Sequence, residues 1–180
     1  MAAGEDPKPY PYWLESTERL RDGTEVQLRP LRPQDEPLLQ DLAAHMTAED
    51  LRLRFFAAVR GLSHAVAAKL SHVDYDRAMA LLAEKDGAAL GVARFHAEPD
   101  RRRAEYAVAV RSDWKGRGLG YLLMTRLIAA ARQSGVVELV GEVLPENKRM
   151  LAMCRELGFA IAADPDDPNL IQVRKALGPE

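Results

Sequence analysis

The sequence predicts one α/β domain of the α+β kind, with a mixed, mostly antiparallel sheet of six to seven strands flanked by helices. Three observations carry this. The chain has 180 residues, enough for a single substantial core and too few for two full domains. Its middle holds three consecutive apolar runs joined by short polar turns, the pattern of an antiparallel meander. Its last third alternates helix, strand, helix, strand.

Residues 1–20 contain three prolines and the cluster Tyr10-Pro11-Tyr12-Trp13, which fits no periodic helix or strand and reads as an N-terminal arm. The folded domain is expected over residues 21–178. Asp22-Gly23 marks a turn, and residues 24–31 alternate, with Val26 and Leu28 on one face, as a first strand. Pro33, Asp35, Glu36 and Pro37 form an acidic, proline-bearing helix start, followed by Leu38, Leu39, Leu42 and Ala43 on one stripe. Thr47 with Glu49 and Asp50 reads as a cap opening a helix over residues 51–56, and Ser63 caps another over 65–70. Residues 79–82 and 90–96 pair across the turn Lys85-Asp86-Gly87, and residues 103–110 add a third strand. Leu119, Leu122, Leu123, Leu127, Ala130 and Ala131 keep one apolar stripe over four turns, ended at Gly135. A strand over 136–143, a helix over 147–157 stopped by Gly158, and a strand over 170–174 complete the pattern.

Composition removes several function classes. With 25 Lys plus Arg against 27 Asp plus Glu, the formal charge is −2, so no global basic field awaits nucleic acid. The sole cysteine, Cys154, can form neither an intramolecular disulfide nor a zinc cage. His45, His64, His72 and His96 show no ligand spacing, and no metal is expected. Apolar runs fall far short of a membrane span, and the N-terminus lacks signal-peptide regions, which predicts a cytoplasmic protein.

One stretch stands out chemically: Asp113-Trp114-Lys115-Gly116-Arg117-Gly118-Leu119-Gly120-Tyr121, between a strand and the strongest helix. Its glycines let the backbone turn N–H groups into a concave nest, and the helix adds its positive dipole end. That is a cradle for a pyrophosphate. A P-loop would end Gly-Lys-Ser/Thr, and a dinucleotide fingerprint would need glycine where Tyr121 stands; neither fits. A glycine-rich turn without a ligand is the plain alternative.

The run Lys115 to Gly120 resembles the acyl-CoA pyrophosphate motif of the GNAT N-acetyltransferases, Arg/Gln-x-x-Gly-x-Gly/Ala, and Asn147 with Leu157-Gly158-Phe159 resembles their later Asn…Leu-Gly-Phe motif. More narrowly, Leu53-Arg54-Phe55-Phe56, Asp74-Tyr75-Asp76-Arg77 and Ala104-Glu105-Tyr106-Ala107-Val108 resemble the acetyltransferase domain of bacterial Pat-type protein lysine acetyltransferases. The resemblance implies a GNAT-like domain whose splayed strands bind acetyl-CoA. It implies cofactor contacts from Val108, Ala109, Val110, Lys115, Gly116, Arg117, Gly118, Leu119, Gly120, Tyr121 and Asn147. It also implies a protein acceptor, the lysine of an acyl-CoA synthetase.

Lys115 departs from the motif's usual Gln or Arg, and Cys154 stands where many members place a tyrosine that protonates the leaving thiolate. A lysine acceptor is neutral in about one molecule in 2,500 at pH 7, a deficit of roughly 4 to 5 kcal/mol, so a general base is required. The resemblance places it at Glu105, expected to be partly buried with a raised pKa; the alternative is a solvent-facing glutamate paired with Arg103. Asp74 and Asp76 could draw in a lysine or simply cap their own turn, and residues 101–103 read as a solvated hairpin tip. A small amine or N-terminal amine acceptor, and a non-catalytic acyl-CoA-binding module, are the competing readings.

Overall fold

The computed structural model describes residues 8–178. Its strands are β1 (Ser16–Arg19), β2 (Glu25–Pro30), β3 (Ala78–Lys85), β4 (Ala88–Ala97), β5 (Arg103–Val110), β6 (Glu138–Val143), β7 (Ala160–Ala163) and β8 (Ile171–Ala176). They form one sheet in the order β1-β2-β3-β4-β5-β6-β8-β7. Every neighbouring pair is antiparallel except β5 and β6. The helices are α1 (Glu36–Ala44), α2 (Ala48–Phe55), α3 (His64–Ser71), α4 (Leu119–Gln133) and α5 (Lys148–Glu156).

The meander and the alternating C-terminal third stand as the hydrophobic pattern predicts. Buried side chains of β3 and β4 pack on both faces of the sheet, which explains why they read as near-continuous apolar runs. On one face Leu119, Leu123, Leu127 and Ile128 of α4 meet Leu81, Ala93 and Phe95. On the other, Leu39 and Leu42 of α1 meet Leu82 and Val92. The caps also hold: Thr47 Oγ1 accepts the Asp50 N–H at 3.1 Å, and Ser63 Oγ accepts the Val66 N–H at 3.2 Å. Each such cap contributes about 1 kcal/mol.

The sheet has eight strands against the expected six to seven, and β1 and β7 are the two that the sequence pattern does not mark. β1 lies within the stretch read as aperiodic, because Ser16, Thr17, Glu18 and Arg19 are all polar and an edge strand held by backbone pairing to β2 needs no apolar alternation. β7, Ala-Ile-Ala-Ala, closes the opposite edge and carries too little side-chain contrast to show a period of two. Residues 1–7 of the expected arm lie outside the described residues. From Lys8 onward the segment is held down: Tyr10 meets the Tyr75 ring edge-on at 5.7 Å, and Arg32 covers the Tyr10 ring at 4.4 Å. Tyr12 and Trp13 remain exposed.

The functionally decisive feature is where β5 and β6 part. Their parallel ladder runs Arg103↔Glu138, Ala104↔Leu139, Glu105↔Val140 and then stops, while β5 stays paired to β4 up to Val110. The Arg111 N–H donates to Leu90 O on the β4 side at 2.8 Å. Backbone direction alternates along a strand, so the polar groups of Val108 and Val110 face the gap toward β6.

Candidate active site

The gap opens into a cleft of about 980 Å³. At one end lies the glycine loop. Gly116 (φ +79°) and Gly118 (φ +84°) adopt left-handed backbone that L side chains rarely take, whereas Gly120 is helical. Gly118 is the N-cap of α4, whose first helical bond runs from the Leu122 N–H to Gly118 O at 3.0 Å. The amides before Leu122 therefore have no intrahelical partner and point out of the helix end. Together with the dipole they suit a bound pyrophosphate.

Of the residues expected to bind cofactor, Val108, Ala109, Val110, Lys115, Gly116, Gly118, Leu119, Gly120, Tyr121 and Asn147 all line this cleft. Arg117 instead turns away, its guanidinium 4.3 Å over the Trp114 ring and 3.9 Å from Asp22. Lys115 Nζ is engaged by Asp50 Oδ1 at 2.6 Å. Asn147 caps α5, its side-chain oxygen accepting the Met150 N–H at 3.2 Å. A cation that sequence reasoning missed is Arg149, whose Nη1 would lie 3.9 Å from a Cβ placed on Gly116. The signal was present: Lys148 and Arg149 occupy the first turn of α5, where cations oppose the helix dipole.

At the other end of the cleft stands Glu105, the last β5 residue paired to β6. Its side chain is exposed, so the expected partial burial is not found. Nor does it pair with Arg103, whose Nε lies 3.6 Å from Glu138. Glu142, Asp164 and Asp166 line the same cleft and make its mouth acidic. Burial, then the charges of Asp164 and Glu105, push the Glu142 carboxyl above its usual range.

Cys154 is fully buried, with Tyr106 Oη 3.2 Å from its Sγ. Burial pushes the thiol up and the Tyr106 phenol well above its ordinary value. A thiol so enclosed is a core group. Asp76 is taken by Arg101 at 2.6 Å and Lys8 at 3.1 Å, and Asp74 Oδ1 accepts the N–H groups of Asp76 and Ala78, both at 2.9 Å. Those aspartates and Arg101 are structural. No group of three or more metal-ligating side chains and no helix long and apolar enough to cross a membrane occurs among the described residues.

Splayed strands that end at a glycine-hinged helix start define a site for an acyl-CoA thioester. The model of the acetyltransferase (GNAT) family matches residues 39–159, and the chain belongs to that family. It is similar to acetyltransferase PA5475 of Pseudomonas aeruginosa, 32% identical over 170 residues that cover 92% of this chain and 90% of that protein. Acetyltransferase Pat of Mycolicibacterium smegmatis is 33% identical over 143 residues, 78% of this chain and 43% of that protein. Among solved structures, the GNAT domain of S. lividans PAT superposes with a TM-score of 0.88 at 25% identity, covering 93% of this chain and 99% of that one. The protein is an acetyl-CoA-dependent acetyltransferase.

Proposed function

We propose that this acetyltransferase modifies the side-chain amine of a lysine on a protein, an acyl-CoA synthetase, with Glu105 as general base. The observation that carries this reading is the open, acidic end of the cleft. Glu105 sits exposed, without an ion-pair partner among the described residues, where the strand ladder stops, and Glu142, Asp164 and Asp166 surround it. A long cationic side chain arriving from a protein surface is drawn to such a mouth and needs no enclosed pocket. Similarity to acetyltransferase Pat and to the GNAT domain of S. lividans PAT agrees with the Pat-type resemblance of the sequence, which implies that acceptor class.

In this reading the amides of 116–121 and Arg149 hold the pyrophosphate, and the backbone of Val108 and Val110 pairs with the pantetheine arm. A backbone N–H in the gap polarises the thioester carbonyl. Glu105 takes a proton from the lysine ammonium, directly or through water. The neutral nitrogen bonds to the carbonyl carbon, the carbon–sulfur bond breaks, and the departing thiolate takes up the nitrogen's second proton, directly or through water, leaving as the thiol. A thiol with a pKa near 8.5 needs little help to leave, which fits the withdrawal of Cys154 into the core.

Mass spectrometry of a purified acyl-CoA synthetase after incubation with this protein and acetyl-CoA tests the proposal, with Glu105→Gln as control. Acetyl gain on one lysine, lost in the control, is the expected result. No gain while acetyl-CoA still shifts the melting temperature removes the protein acceptor and leaves the acyl-CoA site standing.

A further inference from the structure

Two arginines on the acceptor side of the cleft have no counter-ion among the described residues. Arg94 projects from the middle of β4 and Arg54 from the last turn of α2, and both line the cleft as well as a small apolar recess walled by Leu39, Leu42, Leu62 and Val92. Among the described residues neither makes a hydrogen bond or ion pair with a protein group, and Arg54 rests 4.6 Å over its own neighbour, the Phe55 ring. Burial, then the charge of Arg54, pulls Arg94 down to about 10, and burial lowers Arg54 as well. Both therefore remain cations at neutral pH.

Like charges half-buried beside each other, against Leu and Val side chains, repel, and a bound anion relieves that repulsion. The sheet register says where that anion would lie relative to the chemistry. Arg94 pairs with Ala107 and His96 with Glu105, and residues two apart on a strand share a face. Arg94 thus stands on the Glu105 face, displaced by two residues, about 7 Å, along the strand. An acceptor amine at Glu105 would bring groups about 7 Å from the nitrogen within reach of the arginine pair. The guanidinium fork matches the two oxygens of a carboxylate, and the nearby Glu105 and Glu142 favour a monoanion over a more highly charged group.

We infer that Arg54 and Arg94 form a carboxylate-binding subsite for the acceptor, so that this enzyme selects amines that hold a carboxylate within about 7 Å of the reacting nitrogen. The inference rests on the assignment of the Glu105 end as the acceptor side. The carboxylate can come from an aspartate or glutamate beside the target lysine, or from a free amino acid.

Two measurements test it. In the first, the Nε–H signals of Arg54 and Arg94 in ¹⁵N-labelled protein are followed by NMR during titration with glutarate, with glutaramide as the uncharged control. Saturable shifts with glutarate and none with glutaramide are expected; no saturable shift overturns the subsite, whatever the acceptor turns out to be. In the second, acetylation of a lysine peptide with aspartate beside the lysine is compared with its asparagine twin, and free lysine with lysinamide. The carboxylated member should show a KM lower by about tenfold, a gap that Arg94→Gln closes while the affinity for acetyl-CoA stays unchanged. The pair showing the gap identifies the source. Equal KM values in both pairs, or a gap that survives in Arg94→Gln, overturn it. Failure of every acceptor with glutarate binding intact removes the proposed reaction but keeps the anion site.

Discussion

Lys115 Nζ lies 2.6 Å from Asp50 Oδ1, which ties the first residue of the glycine loop to helix α2 across 65 positions of sequence. The same carboxylate accepts the Ser112 hydroxyl at 2.6 Å, and Ser112 Oγ in turn accepts the Thr47 N–H at 2.8 Å. The lysine that replaces the motif's usual Gln or Arg is thus a brace that fixes the loop, with its charge already spent on Asp50. Burial pushes the Asp50 carboxyl up, but the hydrogen bonds from Lys115 and Ser112 outweigh it and hold the group below the usual range.

Asp50→Asn should therefore cost about 1 to 3 kcal/mol at pH 7. A depressed folded pKa gives stability that is full above the unfolded value, near 3.9, and lost as pH falls through the folded one. The Tm gap between wild type and Asp50→Asn, measured by calorimetry, should be widest at neutral pH and shrink below pH 4. A constant gap from pH 7 to 3 would show that the carboxylate's charge is irrelevant to the brace.

Gly118 and Gly120 make opposite demands. A Cβ on Gly118 meets no atom within 4 Å, yet its φ of +84° makes any L side chain strained by about 1 to 2 kcal/mol. A Cβ on Gly120 meets Val110 Cγ2 at 3.7 Å and Met153 Sδ at 3.8 Å, ordinary contacts in ordinary helical backbone. Gly118→Ala should lower Tm and weaken acetyl-CoA binding together. Gly120→Ala should leave Tm the same or higher, because alanine favours the helix, and leave acetyl-CoA binding nearly unchanged, because the motif accepts alanine there. Thermal shift with and without acetyl-CoA separates the two.

The contrast shows what a sequence can and cannot carry. Three glycines in five residues before a helix point to an anion cradle, and the apolar stripe of Leu119, Leu123 and Leu127 announces the helix itself. Partner choice is not announced: that Lys115 turns to Asp50, that Arg117 stacks on Trp114, and that Arg149 approaches Gly116 depend on tertiary placement. β1 and β7 were hidden because edge strands are held by backbone hydrogen bonds rather than by side-chain alternation. Arg54 and Arg94, read singly, are ordinary residues of a helix and a strand; their lack of counter-ions among the described residues exists only in three dimensions.

Glu105 and Glu142 stand on adjacent strands at the same mouth, and a test must tell base from bystander. Glu105→Gln should lower kcat about a hundred- to ten-thousandfold with acetyl-CoA affinity unchanged. Glu142→Gln should retain turnover within a few-fold and gain stability. Its folded pKa is raised, so the ionised carboxylate disfavours the fold once pH rises through that value, and nothing is lost below the unfolded pKa. The group is exposed, so the gain at pH 7 should stay under about 1 kcal/mol and vanish near pH 4. Equal loss of kcat in both variants would mean that the two carboxylates act as one acidic field.

Gly141 lies on β6 immediately beyond the last pair of the β5–β6 ladder, and the Tyr106 ring, immediately beyond on β5, occupies the space a Cβ on Gly141 would need. The ring's far end is fixed by Cys154 Sγ at 3.2 Å and by Met150 Sδ at 3.7 Å. It cannot withdraw without giving up those contacts in the core beneath α5. Gly141→Ala should therefore destabilise the fold by about 1 to 3 kcal/mol, the usual cost of overpacking. Tyr106→Phe keeps the ring and should not relieve the clash, whereas Tyr106→Leu, which empties the space, should recover part of the loss in the double variant. A double-mutant cycle by chemical denaturation reads this directly, and additive losses in the Gly141→Ala, Tyr106→Leu pair would show that the two positions do not compete for that space.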